Sequence, residues 1–350
     1  RNYRCAGATQ VNGGLIFAPL RLLAQALPLD PRHHHVLHPA APQAGNIEWL
    51  YWITFWILFA VFVLMIAAFA GAGAKAHVVD SHPLPIIEKN EEGDRRASWA
   101  VGSAIGITVI TLFAILVLSV VTGKRVEGLT SKNPVTVQIT ARQWWWEVTY
   151  PNPQADQTVT TANEIHVPIG TPVVVLTNSK DVIHSFWAPS ITGKRDLLPG
   201  YSSAFWFEID QAGIYHGQCA EFCGLQHAHM GFSIIAEPVD QFQAWQQQQL
   251  KLAAEPSTSE AIRGREVFLT HACLMCHTIR GTDAGSHVGP DLTHIAGRNM
   301  IAAETLPNTA GSLAGWIVDP QRIKPGTQMS PNPLAPDDLQ ALVVYLQSLQ

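Results

Sequence analysis

Charged residues are scarce in this chain of 350 residues. Lys, Arg, Asp and Glu together make up 14% of it, against roughly 25% in an average soluble protein. Apolar residues make up 47%, and the net charge is −5. The apolar excess predicts that part of the chain lies in lipid. The lack of a basic excess gives no indication of a nucleic-acid partner.

Cysteine is scarce as well, with five residues in the whole chain. Four of them lie in two close pairs, Cys219 with Cys223 and Cys273 with Cys276. Cys5 stands alone, so no pair remains for a structural disulfide. We therefore expect the paired cysteines to serve cofactors.

Residues 1–46 carry little sequence signal of any kind. The apolar run Leu15–Leu29 is interrupted by Arg21, which makes it a poor signal-peptide core. Cys5 follows Asn, Tyr and Arg instead of the small residues of a lipoprotein signal, so no lipid anchor is predicted. Residues 28–42 are expected to form an extended, solvated linker. This linker contains a histidine cluster, in which metal binding would be adventitious: His33, His34, His35 and His38.

Two long runs without a charged residue follow. Trp49–Ala74 has 26 residues and Ala97–Gly123 has 27. Each exceeds the roughly 20 apolar residues that a helix needs to cross a bilayer. We predict a transmembrane helical hairpin over residues 47–125, whose connecting loop has charges of both signs and so does not fix the orientation. Aromatic residues lie where each span meets the membrane surface: Trp49, Tyr51, Trp52, Trp56 and Trp99.

Residues 126–238 change to short segments in which apolar and polar residues alternate. Turn residues separate eight such segments at intervals of about eight to twelve positions, which is typical of a β-sandwich. Residues 239–257 are rich in glutamine and predict a helical tether that ends in a hinge.

Soft metal ligands are concentrated in the segment YHGQCAEFCGLQHAHM. Cys219, Cys223, His227 and Met230 offer thiolate, imidazole and thioether donors, a set that selects copper over magnesium or calcium. Two cysteines that can each bridge suit two coppers sharing both sulfurs. His184, in VIHSFW, is the best candidate for the second histidine. C-x-x-x-C alone would favour a disulfide or two buried thiols, but the coincidence of several ligand types favours copper.

A second cofactor motif is Cys273-Leu-Met-Cys276-His277. C-x-x-C-H is the attachment motif of c-type haem, with two thioether bonds and His277 as one axial ligand. It is also found in redox dithiols and in half of a zinc site, but no second cysteine pair completes zinc. Met300 and Met329 are candidates for the other axial ligand. We favour Met329 because it lies in the Gly/Pro loop KPGTQMSP, just before a predicted amphipathic helix.

Three consecutive tryptophans follow Gln143. Neighbouring strand residues face opposite ways, so at least one of Trp144, Trp145 and Trp146 must point outward. Exposed large aromatic residues mark interfaces, whereas burial in the core is the alternative.

At these residues the chain resembles subunit II of haem-copper cytochrome c oxidases. The copper segment is similar to the binuclear CuA loop of that family, on a Greek-key cupredoxin domain. The resemblance implies that Glu221 ligates copper through its backbone carbonyl, and that its side chain reaches a magnesium ion shared with subunit I. The implied copper ligands are His184, Cys219, Glu221, Cys223, His227 and Met230.

The resemblance extends from about Ile47 to the end of the chain. It implies that Trp144, the first tryptophan of a Q-W-x-W motif, receives electrons from cytochrome c. Residues of GKRDLLPG match the loop that docks on subunit I: Lys194, Asp196, Pro199 and Gly200. Arg96 stands where many relatives carry a proton-entry glutamate, so the resemblance does not assign a proton-uptake role at this position. The C-terminal part resembles class I cytochrome c, as fused to subunit II in caa-type oxidases.

The expected protein is therefore a multidomain membrane protein: a two-helix transmembrane hairpin, an all-β cupredoxin domain and an all-α class I cytochrome c domain. The expected boundaries are 1–46 for the N-terminal segment, 47–125 for the hairpin, 126–238 for the copper domain, 239–257 for the linker and 258–350 for the cytochrome c domain. Both redox domains are expected on the extracytoplasmic side of a bacterial cell membrane.

The expected function is electron entry into a caa-type cytochrome c oxidase, from covalent haem c to CuA and on to haem in subunit I, where O2 is reduced to water. The donor would be a cytochrome c or a quinol-cytochrome c reductase. The alternatives are the CuA subunit of a nitric oxide reductase and a membrane-tethered electron carrier without a catalytic partner.

The two expected redox domains have charges of like sign. Residues 126–238 have five Lys/Arg and ten Asp/Glu, and residues 258–350 have six and eight. Electrostatic attraction therefore does not bring them together, but a short flexible tether can replace it. We expect their contact to rest on an apolar patch with Trp144 as the electron port.

Overall fold

The structure, a computed structural model, describes residues 34–75, 91–128 and 133–350. The sequence predictions about Cys5, Leu15–Leu29 and His33, and about most of the loop between the spans, lie outside these residues. A helical hairpin, a β-sandwich and a helical domain follow one another in chain order, which confirms the predicted fold class.

Two long helices form the hairpin. α1 (Pro42–Lys75) has 34 residues and α2 (Glu91–Glu127) has 37. At 1.5 Å of rise per residue each is about 50 Å long, enough to cross a bilayer. Their apolar side chains are exposed, and within the described residues no other part of the chain covers them. The two predicted membrane spans are thus present, and lipid or partner subunits must cover them. Arg96, near the start of α2, forms an ion pair with Glu92.

Both outer ends of the hairpin adjoin the β-sandwich. Ala41, just before α1, belongs to the sandwich core. At the end of α2, the carbonyl of Glu127 accepts a hydrogen bond from the indole of Trp206 (3.1 Å). The backbone N–H of Ala40 donates to the carbonyl of Ser190 (2.8 Å). The described part of the expected N-terminal linker therefore packs on the sandwich instead of being fully solvated.

Ten strands form the sandwich. They are β1 (Val135–Arg142), β2 (Trp145–Tyr150), β3 (Val159–Ala162), β4 (Glu164–Pro168), β5 (Val173–Ser179), β6 (His184–Trp187), β7 (Arg195–Leu197), β8 (Ser203–Phe207), β9 (Gly213–Cys219) and β10 (Gly231–Glu237). One sheet has the order β3-β2-β1-β5-β8 and the other β4-β10-β9-β6-β7. Most neighbours are antiparallel, but β1 pairs with β5 and β4 with β10 in parallel. Strands β3 and β7, of four and three residues, were not predicted.

Trp146 is the central side chain of the sandwich. It is fully buried, and its ring lies 5.3 Å from Phe232 and 6.0 Å from Phe186, both in edge-on geometry. Its indole N–H donates to the carbonyl of Met230 (3.3 Å), at the end of the copper segment. Core packing and the predicted metal loop therefore share one aromatic residue.

The glutamine-rich tether begins with a helix, as predicted, but the helix is docked. α3 (Val239–Gln249) packs against β3 and β4 of the sandwich. Trp245 stacks on His166 with ring centroids 4.1 Å apart, and Phe242 is buried beside Tyr150. A flexible tether was expected here, and for α3 that prediction is wrong.

The C-terminal domain is helical. Its helices are α4 (Ser259–Thr270), α5 (Ala310–Val318), α6 (Pro320–Ile323) and α7 (Pro336–Ser348), with a small sheet of β11 (Met300–Ile301) and β12 (Leu306–Pro307). Thr258 caps α4 by accepting a hydrogen bond from the N–H of Ala261 (3.1 Å). Helices α4 and α7 make the largest contact between elements of the domain. The helix α7 is the amphipathic helix that was predicted after the KPGTQMSP loop.

The contact between the sandwich and the helical domain is polar. Glu164 in β4 is buried and accepts hydrogen bonds from the backbone N–H groups of Asn299 (2.7 Å) and Met300 (3.3 Å). Burial raises the pKa of the Glu164 carboxyl despite these hydrogen bonds. Glu304 of the helical domain pairs with His216 of β9 (3.2 Å). The contact that was expected to rest on an apolar patch therefore also contains buried polar groups.

The crossing of α4 and α7 gives a stability prediction. A β-carbon at Gly264 would collide with the backbone carbonyl of Ala341 in α7, so Gly264→Ala must push the helices apart. We expect a loss of about 1–3 kcal/mol in the free energy of unfolding. Gly315→Ala is the matched control, since a β-carbon there meets nothing and α5 should gain about 0.5–1 kcal/mol. Thermal unfolding followed by circular dichroism measures both, and equal stability of the two variants would contradict the close packing.

Candidate metal centre and haem site

Four ligand atoms of the predicted copper site lie close together. The Sγ atoms of Cys219 and Cys223 are 3.8 Å apart. His184 Nδ1 lies 3.8 Å from the Cys219 sulfur, and His227 Nδ1 lies 3.6 Å from the Cys223 sulfur. A disulfide needs a separation of about 2.05 Å, so both cysteines are free thiols. One histidine thus flanks each sulfur, which suits two metal ions bridged by two thiolates.

The remaining predicted ligands complete the same cluster. The thioether sulfur of Met230 lies 3.8 Å from the Cys223 sulfur, and the backbone carbonyl of Glu221 lies 3.2 Å from the Cys219 sulfur. Met230 is fully buried, whereas the Glu221 side chain is exposed. All six groups predicted from the sequence are therefore brought together, and the donor set fits a pair of copper ions.

Strand pairing positions the loop that carries these groups. Cys219 ends β9 and Met230 directly precedes β10, so the loop closes two antiparallel neighbours. Its ends are joined by the hydrogen bond from Cys219 N–H to the Met230 carbonyl (3.0 Å). His184 begins β6, and Ala220 N–H donates to the carbonyl of Ser185 in that strand (2.9 Å). Three strands of one sheet thus fix the ligands in place.

Asp181 orients the histidine of β6. Its carboxylate lies 2.8 Å from His184 Nε2, which leaves Nδ1 facing the Cys219 sulfur. The other carboxylate oxygen accepts a hydrogen bond from Gln143 N–H (2.6 Å). Burial opposes charge on His184, but hydrogen bonds to Asp181 and Cys219 outweigh it and raise the histidine pKa. Sequence reasoning missed Asp181, although its position three residues before His184 was a usable signal.

The two thiols share a proton. The hydrogen bond from Cys223 lowers the pKa of Cys219 to about 3, and the same contact raises the pKa of Cys223. Cys219 therefore loses its proton more readily than Cys223, and both thiols must be deprotonated when metal binds.

The predicted haem attachment site has its reactive groups available. Cys273 and Cys276 are free; Cys273 lies within a 3-10 turn over Ala272–Met275, and Cys276 follows directly after it. His277 Nδ1–H donates to the carbonyl of Pro290 (2.8 Å), so its Nε2 is left free to bind iron. Burial lowers the pKa of His277, which keeps the ring neutral as a metal ligand must be.

A cavity of about 230 Å³ opens beside this motif. Both cysteines and His277 line it, together with Met300 and Met329. A β-carbon at Gly289 would lie 2.7 Å from the His277 ring, so the chain passes over the imidazole there only as glycine. These features fit a covalent haem. Both methionines reach the cavity, so its lining does not choose between them.

Trp144 connects the cavity to the predicted copper loop. Its ring lines the cavity, and its indole N–H donates to the carbonyl of Cys223 (3.0 Å). The Gln143 side chain donates to the same carbonyl (2.7 Å). Trp144 is only 8% exposed and belongs to the sandwich core, so it is not an outward-facing tryptophan. Trp145, which sequence reasoning did not single out, lines the cavity too, whereas Trp146 is in the core.

The loop predicted to dock on another subunit lies on the surface beside the metal site. β7 is the edge strand next to β6, and Asp196 pairs with Ser185. The ammonium of Lys194 lies over the ring of Trp187 (5.6 Å). The four residues of the predicted loop are all exposed: Lys194, Asp196, Pro199 and Gly200.

Comparison with known proteins agrees with this arrangement. Residues 153–238 match the family described as Cytochrome C oxidase subunit II, periplasmic domain, and residues 261–350 match Cytochrome c. Cytochrome c oxidase subunit 2 of Alkalihalophilus pseudofirmus is 30% identical over 349 residues, covering 95% of this chain and 96% of that protein. Subunit 2 of Bacillus sp. (strain PS3) is 32% identical over 254 residues and covers 69% of each chain.

The fold and site define a two-span membrane protein in which a cupredoxin-like domain is fused to a C-terminal cytochrome c domain. The chain belongs to the cytochrome c oxidase subunit 2 family, which makes it a component of a terminal oxidase. The two matched families imply CuA and haem c as cofactors.

The thiol pair gives the second prediction. If both sulfurs hold the copper pair that the family implies, Cys219→Ser or Cys223→Ser should abolish the paramagnetic resonance signal of an electron delocalised over two coppers. Met230→Leu is the milder comparison, since a thioether is a weak ligand that mainly tunes the potential. An unchanged signal in either serine variant would rule out a binuclear site at these residues.

A third prediction concerns the second axial ligand of the haem, opposite His277. Met329→Ala should remove the methionine-to-iron charge-transfer band and lower the haem potential. Met300→Ala is the matched control, because Met300 lines the same cavity, and it should leave both observables unaltered. The opposite pattern would transfer the ligand role to Met300.

Proposed function

We propose that this chain is the electron-entry subunit of a caa-type cytochrome c oxidase. When bound, haem c and CuA supply one-electron redox chemistry, and the chain passes electrons from the first to the second and on to haem in subunit I, where O2 is reduced to water. The residues proposed for haem c are Cys273, Cys276, His277 and Met329. Those proposed for copper are His184, Cys219, Glu221, Cys223, His227 and Met230.

The observation that carries this proposal is the position of Trp144. One side chain lines the cavity beside the haem motif and also donates a hydrogen bond to the backbone of Cys223. A donor site and an acceptor site are thus separated by a single aromatic ring and one hydrogen bond. We propose Trp144 as the electron port between them.

The chain's own residues keep the two sites rigid and dry. Met230 is fully buried and Cys219 nearly so, which keeps water from the proposed ligands. Asp181 holds His184, and Pro290 holds His277, each through the ring nitrogen opposite the one proposed to bind metal. Fixed ligands favour electron transfer, because little rearrangement is needed when the charge of the site changes.

The surface around Glu221 is proposed to contact subunit I. The Glu221 side chain is exposed, as are the residues of the proposed docking loop, so both are available to another subunit. A magnesium ion held by Glu221 at that boundary is part of the proposal. Both outer ends of the hairpin adjoin the sandwich, so the sandwich and the cytochrome c domain that packs on it would lie on one side of the membrane. We propose the extracytoplasmic side, because the matched family is described as a periplasmic domain. Cytochrome c or a quinol-cytochrome c reductase is the proposed donor.

Two alternatives are less well supported. A nitric oxide reductase subunit would share the electron-entry chemistry, but the relatives above are oxidase subunits. A free-standing carrier would need one anchor, whereas this chain has two exposed apolar helices that partner subunits can cover. The reduced-minus-oxidised spectrum of the purified native complex separates the three, because only an oxidase adds the bands of a haem-copper subunit I and consumes O2.

The fourth prediction tests the electron port. Trp144→Ala should slow transfer from haem c to copper severely while both cofactors remain bound. Trp144→Phe keeps an aromatic ring but loses the N–H donor to Cys223, and so separates the two contributions. Trp145→Ala is the matched control, because Trp145 lines the same cavity without a described hydrogen bond to the copper loop. Flash or stopped-flow measurement gives the internal rate, and a wild-type rate in Trp144→Ala with both cofactors present would eliminate the port.

The dependence of the internal transfer rate on salt concentration gives a further prediction. Because the two domains are already docked in the chain, no charge-steered encounter precedes the transfer. The internal rate should therefore change little with ionic strength. A steep fall of that rate with added salt would show that the domains must find each other for every electron.

A further inference from the structure

Lys324 is a buried cation at the contact between the cytochrome c domain and the sandwich. Only 2% of the residue is exposed, and none of the ion pairs found in the described residues includes it. Its ammonium donates hydrogen bonds to three backbone carbonyls, of His229 (2.7 Å), Ala302 (3.0 Å) and Trp144 (3.1 Å). An ammonium has three N–H donors, so all of them are used.

The three carbonyls belong to three different parts of the proposed electron path. His229 lies in the copper loop between two proposed ligands, and Trp144 is the proposed port. Ala302 lies in the turn after β11 in the cytochrome c domain. Lys324 itself begins the KPGTQMSP loop that leads to Met329. A single side chain thus joins the copper loop, the port and the loop of the proposed axial ligand.

Other contacts near Lys324 also join the copper loop to the cytochrome c domain. The side chain of Gln226, in the copper loop, donates to the carbonyl of Pro325 (2.7 Å). A β-carbon at Gly326 would lie 2.7 Å from Leu225, so the copper loop packs directly on the residues after Lys324. Gly231 N–H, at the start of β10, donates to the carbonyl of Ala303 (3.2 Å). The surroundings of Lys324 are therefore an extended fit between two loops.

The turn that receives Lys324 has an unusual backbone. Ala302, Ala303 and Glu304 all have positive φ values, of 54°, 55° and 61°. Residues other than glycine rarely adopt this left-handed backbone conformation, and three successive residues do so only when their surroundings hold them. The lysine hydrogen bond to Ala302 and the β10 hydrogen bond to Ala303 supply that restraint.

A lysine at this buried position is energetically unfavourable if it serves only to fill space. Burial lowers the pKa of the Lys324 ammonium to about 7, which reflects the cost of removing the charge from water. A methionine of similar length would fill the same volume without that cost. The three carbonyls can be matched only by the three N–H groups of the charged ammonium, so the structure keeps a positive charge beside both proposed redox sites.

We propose that Lys324 is a positioning residue for electron transfer: it fixes the cytochrome c domain on the copper loop in one register, and its charge raises the reduction potentials of both sites. This inference rests on the proposed function, because it assigns Lys324 a place in the transfer from haem c to copper. A buried positive charge favours the reduced, more electron-rich form of a neighbouring centre. The three hydrogen bonds fix the distance that the electron must cross.

The test uses the full chain with both cofactors bound and three measurements. Lys324→Met removes the charge and all three donors at nearly constant volume. We expect faster amide exchange confined to residues 224–231 and 300–304, lowered midpoint potentials of both sites, and a loss of about tenfold or more in the internal transfer rate. Lys251→Met is the matched control, since the Lys251 ammonium is exposed and contacts only Gln248 (2.8 Å) among the described side chains. It should leave all three observables unchanged.

Lys324→Gln separates the two roles and also serves if the methionine variant does not fold. The amide keeps two N–H donors but not the charge, so it should restore part of the amide protection while the potentials stay low. Unchanged potentials together with unchanged local exchange would overturn the proposal. Faster exchange spread over the whole sandwich, with unchanged potentials, would also overturn it and leave Lys324 a merely structural residue. If the wild-type chain shows no transfer from haem c to copper, the proposed function fails, while exchange and potentials still decide the role of Lys324.

Discussion

Two sulfur atoms held 3.8 Å apart are the constraint on which the rest of the structure depends. They are too far apart to bond and close enough to share a proton. That separation is kept by β9 and β10, whose pairing brings Cys219 back to Met230, and by β6, which supplies His184. The sandwich core continues into the site through Trp146, which packs on Phe232 and binds the Met230 carbonyl. The packing of the core and the geometry of the proposed ligands therefore depend on the same side chain, Trp146.

The polar contact between the domains changes the physical problem of electron transfer. Two separate proteins must meet, orient and part, and charge steers that encounter. Here α3 is docked on the sandwich, and Glu164, Glu304 and Lys324 join the two domains through specific hydrogen bonds. Orientation is thus established once, when the chain folds. The like net charges of the two domains then matter little, because short-range hydrogen bonds define the contact.

The sequence was sufficient wherever chemistry is local. Cys219, Cys223, His227 and Met230 lie within one loop, and Cys273, Cys276 and His277 within one turn, so spacing alone predicted each group. Uncharged runs predicted both spans, and alternation predicted the longer strands. Groups that act across the fold were missed: Lys324 is 180 residues from Trp144, and no periodicity connects them. The preference for Met329 over Met300 likewise rests on its loop and not on contacts across the fold, since two distant loops reach one cavity.

The cavity beside the haem motif is lined by both the sandwich and the C-terminal domain, and this has a consequence for biosynthesis. A chain is made from its N-terminus and domains fold as units, so the sandwich exists before residues 258–350 are complete. During that interval the surface that bears Trp144, Trp145 and Glu164 faces water. Exposed tryptophans there would invite aggregation, but the carboxylates and free backbone carbonyls beside them remain hydrated until the second domain arrives. The polar groups of this contact thus keep the incomplete chain hydrated on this face until its own C-terminal half has folded.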